Sequence, residues 1–280
     1  MRAGSILRAC TAGFDYGGRV TEPAPATPAT PSQVATGTSQ RARRRTLVAL
    51  PIAATFAVLL TMAVVTDSPA LDAFDDGLTD ATRGWADRLG WPVDVAWLIG
   101  KATAPFWSAA AVGVVVLILW RYRYRAAAGL LALSAIAGVT TSEIMKRAIG
   151  RTRPPGAEEF QSDMSRSFPS GHSMAGIYLY VATGLVLIHL GTTRGVRWLV
   201  LLGRTLVVLG PAIGVSRLIL GVHWPSDILA GWALGSVVLL AAALILWWPV
   251  DRGWRQADAE AGATPPAPPG AGTTPAAPGR

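Results

Sequence analysis

The sequence predicts an all-α polytopic membrane protein, a bundle of six transmembrane helices with an active site at its outer face. Three observations predict it. Apolar residues make up 51% of the chain, the mean hydropathy is +0.38, and the apolar residues gather in blocks rather than spreading evenly. The blocks run roughly 18 to 22 residues, the length at which a helix crosses a bilayer core with all its backbone groups bonded internally. Basic residues cluster beside the blocks, and short polar islands with His, Arg, Ser and Asp interrupt block ends, where ionisable groups are costly.

Each element follows from these patterns. Residues 1–45 are rich in Pro, Thr, Ala and Gly with no apolar period, and are expected to form a disordered cytoplasmic tail ending in Arg41, Arg43, Arg44 and Arg45. A first span is expected over 46–66, with that arginine cluster holding the N-terminus inside. Residues 67–100 mix acidic residues with Trp85, Trp91 and Trp97, a pattern expected of an amphipathic segment on the outer interface. A second span over 103–120 exits into Arg121, Arg123 and Arg125, and a third over 126–145 leads back outward to Lys146, Arg147, Arg151 and Arg153. The fourth, fifth and sixth are expected over 173–190, 198–218 and 228–248, the last followed by Arg252 and Arg255. Residues 46–255 thus form the span domain and 256–280, rich in Pro, Ala and Gly, a second disordered tail. Both termini are then cytoplasmic.

The formal charge of +8 sits next to apolar blocks, which points to membrane topology and away from nucleic acid. Cys10 is the only cysteine, so no internal disulfide forms. The N-terminus lacks a short apolar core with a small-residue cleavage site, so the first span is expected to stay in place.

Under this topology three polar islands share the outer side, where basic residues run against the charge rule. The first, KRAIGRTRP at 146–154, places Lys146 and Arg153 seven apart, about 20° from one face if helical. A compact ammonium and a bidentate guanidinium suit phosphate oxygens, and a basic loop on lipid headgroups is the competing reading. The second, Pro169-Ser170-Gly171-His172, opens span four and exposes backbone N–H groups beside a histidine; an ordinary helix cap fits the same residues. The third, SRLILGVHWPSD at 216–227, holds Arg217 as a further phosphate clamp, Ser216 as a donor, and His223 four residues before Asp227. Pro225 suits the first turn of span six. Snorkelling by Arg217 and dipole capping by Asp227 compete there.

These islands, in the pattern KxxxxxxRP, PSGH and SRxxxxxHxxxD, resemble in order the three signature motifs of the type 2 phosphatidic acid phosphatase superfamily, the integral-membrane lipid phosphate phosphatases. The resemblance implies His223 as the nucleophile that takes the phosphoryl group, Asp227 as its partner, and His172 as the acid that protonates the leaving lipid oxygen. It also implies Lys146, Arg153, Ser170, Gly171, Ser216 and Arg217 as phosphate ligands. No metal or other cofactor is required by that scheme, and Glu158, Glu159 and Asp163 lack a cage spacing. The expected partners are a lipid phosphate or diphosphate and the bilayer, with the site on the extracytoplasmic face. Alternatives are a lipid phosphotransferase using the same histidine and a non-catalytic headgroup-binding transporter. Vanadium-dependent haloperoxidases share the motifs but are soluble proteins, unlike a six-span chain.

Overall fold

The computed structural model describes residues 31–164 and 166–246, and from Arg41 the chain forms one compact unit. Residues 1–30 and 247–280 lie outside the described residues, and with them Cys10, Arg252, Arg255 and most of both expected tails. Every regular element described is helical. Five of the described helices are long and apolar enough to cross a membrane, and a bent pair brings the number to six if it counts as one span.

Helix α1 (Pro31–Val65) begins within the stretch expected as a tail, and its membrane-length segment is Gln40–Val65. Most of its apolar side chains face outward, with Val64 packed near Phe168 and Ala230. Helix α2 (Pro69–Leu89) starts at Pro69, whose missing N–H costs nothing in a first turn, and stops at Gly90 with φ of 71°. Its amphipathicity runs opposite to that of a soluble helix. Asp75 and Thr79 are buried against the protein, whereas Phe74, Leu78 and Trp85 are exposed.

Helices α3 (Trp91–Ala102) and α4 (Pro105–Arg121) meet at a bend of 50°. The expected span over 103–120 corresponds to α4, which reaches membrane length only together with α3. At 17 residues, α4 extends about 25 Å, short of the roughly 30 Å hydrocarbon core. Helix α5 (Arg125–Ile149) ends at Gly150, left-handed at φ 62°, whose N–H donates to the Lys146 carbonyl. Arg153 thus lies beyond the helix. The expected single helical face carrying Lys146 and Arg153 does not form; the loop folds back to bring them together.

The fourth span is Gly171–Thr193, built from α6 (Gly171–Ala175), a π-helical turn (Gly176–Val181) and α7 (Ala182–Thr193). It packs along α8 (Arg197–Ile219), and α9 (Pro225–Ile245) completes the bundle. Small residues let these helices approach. A Cβ on Gly184 would stand 2.6 Å from the Gly203 carbonyl oxygen, and one on Gly203 2.6 Å from that of Gly184. The core lies midway along the bundle, where Leu131 and Ala128 of α5 meet Val186 and Ala182 of α7 and Leu239 of α9.

The ends of α5 and α8 and the starts of α6 and α9 lie at one end of the bundle. The Ser170 N–H donates to the Asp227 carbonyl at 3.0 Å, tying the starts of α6 and α9 together. All three polar islands meet there.

Candidate active site

His223 sits in the tight connection between α8 and α9, 4% exposed. The Val222 N–H donates to the Arg217 carbonyl at 3.1 Å, and Gly221, at φ 61°, supplies the left-handed residue that this turn needs. Pro225 then starts α9, placing Asp227 in its first turn. There Asp227 Oδ2 accepts the Trp224 N–H at 3.0 Å and faces back to the histidine.

His223 Nδ1 lies 3.4 Å from Asp227 Oδ2 and 3.3 Å from Ser167 Oγ. Its other nitrogen, Nε2, lies 3.0 Å from Arg153 Nη1. Arg153 Nη1 also lies 3.4 Å from Nδ1, but the Asp227 carboxylate only accepts, so Nδ1 carries the hydrogen toward Asp227 and Nε2 is left as the acceptor. This is the tautomer that a nucleophilic imidazole needs. Burial pushes the His223 pKa down to about 4, with the Arg153 charge adding to the effect and the Asp227 hydrogen bond opposing it. The ring is neutral at pH 7.

The Asp227 carboxylate is engaged on both oxygens. Oδ2 accepts a short hydrogen bond from Ser167 Oγ, and Oδ1 accepts Arg151 Nη1 at 2.9 Å. Arg151 also donates to Asp75 Oδ2 at 2.8 Å and to Ser226 Oγ at 2.7 Å. Burial disfavours the Arg151 charge, but Asp227 and Asp75 outweigh it and raise its pKa.

Arg153 is held as tightly. Its Nε donates to the Asp163 carbonyl and its Nη1 to the Val222 carbonyl, each at 2.6 Å. Burial lowers its pKa, against the attraction of Asp227 and Asp163. The Asp163 carboxylate itself pairs with Arg166 at 2.6 Å. Glu158 and Glu159 lie in a 3₁₀ turn (Ala157–Glu159).

Lys146, Arg153, Gly171, His172 and His223 line one cavity of about 510 Å³. Lys146 pairs loosely with Glu143 at 3.9 Å, while Arg147 takes the other Glu143 oxygen at 3.5 Å. A Cβ on Gly171 would stand 3.1 Å from Lys146 Nζ, so glycine lets the ammonium lie against the helix start. His172, second in α6, lies in the field of Arg217, Lys146 and Arg153. Away from this polar end, the wall turns apolar along α4 and α5, with Val112, Val116, Ala132, Ala135 and Val139.

Four expected residues stand behind the cavity wall rather than on it: Ser170, Ser216, Arg217 and Asp227. Ser170 caps α6, its Oγ accepting from Ser173 Oγ at 2.9 Å, and Ser216 Oγ donates to the Ile213 carbonyl at 2.7 Å. Arg217 is buried against Gly100 and donates to the Ala96 carbonyl at 3.5 Å, and its Nε has no partner. An unmatched buried donor costs roughly 1–3 kcal/mol, a cost that an anion in reach would relieve.

Sequence reasoning missed Ser167, Arg151, Ser226 and Asp75. Arg151 and Ser226 lie at unassigned positions inside the first and third islands, and Ser167 lies two residues before the second. For Asp75 the available signal was an acidic residue sharing a helical face with Thr79 and Arg83 in α2.

The described residues thus form a helical bundle of membrane-spanning length with a buried His–Asp pair beside two cations at one end. Residues 126–251 match the model of the PAP2 superfamily. It is 33% identical over 111 residues to the undecaprenyl-diphosphatase of Sulfolobus acidocaldarius, covering 38% of this chain and 48% of that one. It is also 33% identical over 99 residues to phosphatidylglycerophosphatase B of Bacillus subtilis, covering 35% of this chain and 47% of that one. A third similarity, 34% over 102 residues, is to the decaprenylphosphoryl-5-phosphoribose phosphatase of Mycobacterium tuberculosis, covering 34% and 48%. The matches thus span about half the length of these curated relatives. Among solved structures, a transmembrane PAP2-type phosphatidylglycerolphosphate phosphatase from Bacillus subtilis shares the fold. Its TM-score is 0.57 at 24% identity, over 74% of this chain and 96% of that one.

Proposed function

We propose that this chain is a membrane phosphatase that removes the terminal phosphate of a lipid phosphate or diphosphate through a phosphohistidine at His223. The observation that carries the reading is the His223 imidazole, with Nδ1 toward Asp227 and Nε2 toward Arg153. Nε2 attacks phosphorus as the bond to the lipid oxygen breaks, and His172 gives that oxygen its proton. The imidazole becomes cationic, and Asp227 stabilises it. Water then attacks the phosphohistidine, His172 takes the proton from the water, and His223 is released neutral with inorganic phosphate. Arg153 and Lys146 meet the charge on the phosphoryl oxygens, the electrostatic contribution that dominates such transfers. Ser170, Gly171, Ser216 and Arg217 complete the phosphate site, Ser170 and Ser216 by shaping the two helix ends and Arg217 by its charge and unpaired Nε.

The apolar wall formed by Val112, Val116, Ala132, Ala135 and Val139 supports a lipid substrate, because a tail can stay in an apolar channel while its headgroup reaches His223. The similarity to proteins named for undecaprenyl diphosphate and phosphatidylglycerophosphate supports the same class. We place the site on the extracytoplasmic face and both termini in the cytoplasm, from the excess of arginine at the opposite helix ends. Phosphate release by purified protein from phosphatidic acid, phosphatidylglycerol phosphate and undecaprenyl diphosphate tests the reading. Turnover and a trapped phosphoenzyme are expected in the wild type and absent from His223→Ala; a His223→Ala variant with near-normal turnover would refute the assignment.

A further inference from the structure

Asp75 lies in α2, upstream of the segment that matches the family, and is buried to 1% exposure. A carboxylate so placed is tolerated only with strong partners. It has three contacts with its two oxygens. Oδ1 accepts the Ser226 N–H at 2.8 Å; Oδ2 accepts Ser226 Oγ at 2.5 Å and Arg151 Nη2 at 2.8 Å. Arg151 in turn holds Asp227 Oδ1, so one guanidinium joins two carboxylates, one from α2 and one from α9. Arg83 of α2 adds a brace by donating to the carbonyl of Gly221, two residues before His223, at 3.0 Å.

The charges of this cluster have a functional consequence. Arg151 and Asp227 alone form a neutral pair, and an Asp227 neutralised in this way would stabilise a cationic His223 poorly. Asp75 shares the guanidinium and leaves the cluster of Asp75, Arg151 and Asp227 with one net negative charge beside the imidazole. Its contacts also fix Ser226 and Arg151, and with them the plane of the Asp227 carboxylate.

We propose that Asp75 is a positioning residue for the His223–Asp227 dyad, acting through Arg151 to orient the Asp227 carboxylate and to preserve its charge for the imidazolium. The proposal rests on the phosphohistidine reading above. Asp75 touches no substrate, so its removal acts on the transition state and not on lipid binding.

The test is a double-mutant cycle in the full-length protein in detergent micelles, using Asp75→Asn, Asp227→Asn and the double variant, read by phosphatidic acid turnover and by orthovanadate affinity. Asp75→Asn keeps an acceptor for the Ser226 N–H but removes the charge. Expected is a fall of roughly tenfold in kcat with KM changed less than about twofold, and a similar loss of vanadate affinity. In the Asp227→Asn background the same change has an effect below about twofold, because the residue it acts through is already gone. Equal effects in both backgrounds, or a rise in KM at constant kcat, would overturn the role. Should Asp75→Asn fail to fold, Arg151→Gln breaks the same link from the loop side and is put through the same cycle with the same criteria. A wild type that neither turns over lipid phosphate nor binds vanadate refutes the phosphatase reading and this proposal together; an active wild type without coupling refutes the role of Asp75 alone.

Discussion

Arg153 Nη1 lies 3.0 Å from His223 Nε2, nearer than its 3.4 Å to Nδ1, so Nε2 faces a cation held in place by three carbonyls. A phosphoryl oxygen entering beside Nε2 takes over that donor, and the same guanidinium that marks the attack position then binds the transferring group. Charge and direction are supplied by one side chain.

Arg153→Lys keeps the positive charge and loses the planar fork. A lysine ammonium cannot bond the Asp163 and Val222 carbonyls and a phosphoryl oxygen in the same geometry. The expected result is a fall in kcat/KM of about 10²- to 10³-fold, comparable to losing one donor from a site that stabilises developing charge. Steady-state kinetics on a lipid phosphate measure it, and a variant within threefold of the wild type contradicts the role.

Stability should depend on pH through His223. Its folded pKa, about 4, lies below the ordinary histidine value of 6.5 because the ring is buried. Between these values the unfolded chain binds the proton and the folded protein does not, so the folded state loses stability as pH falls from about 6.5 toward 4. Thermal unfolding of the wild type and of His223→Gln over that range checks this. The wild type is expected to lose more stability than the variant, and parallel curves would contradict the buried, neutral ring.

The apolar channel should discriminate by tail. Ala135→Phe adds bulk to the cavity wall beside α5 without touching the polar end. Turnover of long-chain lipid phosphates is expected to drop about tenfold or more, while a soluble short-chain phosphate ester changes less than about threefold. Equal losses on both would show that the channel does not hold the tail.

Orientation is open to direct labelling. A single cysteine at Ser162 in the site loop should react with an impermeant thiol reagent on intact cells, in a Cys10→Ser background, and one at Arg123 should not. The reverse pattern would invert the topology.

How much of this was legible in the sequence depends on whether the determining interaction is local. Apolar block lengths and flanking arginines predict the helices of the bundle, because crossing a bilayer imposes a length and backbone self-satisfaction on each segment separately. His223 and Asp227 were readable as a pair for the same reason. They are four residues apart, Pro225 starts the helix between them, and the tertiary fold only sharpens the contact to 3.4 Å. The break before α4 carries a local signal in Pro105, but the 50° bend and the packing of α3 against α8 are seen only in the structure. The route that brings Arg153 to His223 was not readable, because Gly150 ends α5 and the loop that follows is shaped by carbonyls of Asp163 and Val222. By itself the sequence determined a membrane bundle with three reactive islands, since periodicity, caps and charge act over a few residues. Only the tertiary structure decided that Ser167, Arg151 and Asp75 surround the dyad. Asp75 and Asp227 are joined by one guanidinium across a separation of 152 residues, and no local pattern encodes the balance of buried charge that such a contact must satisfy.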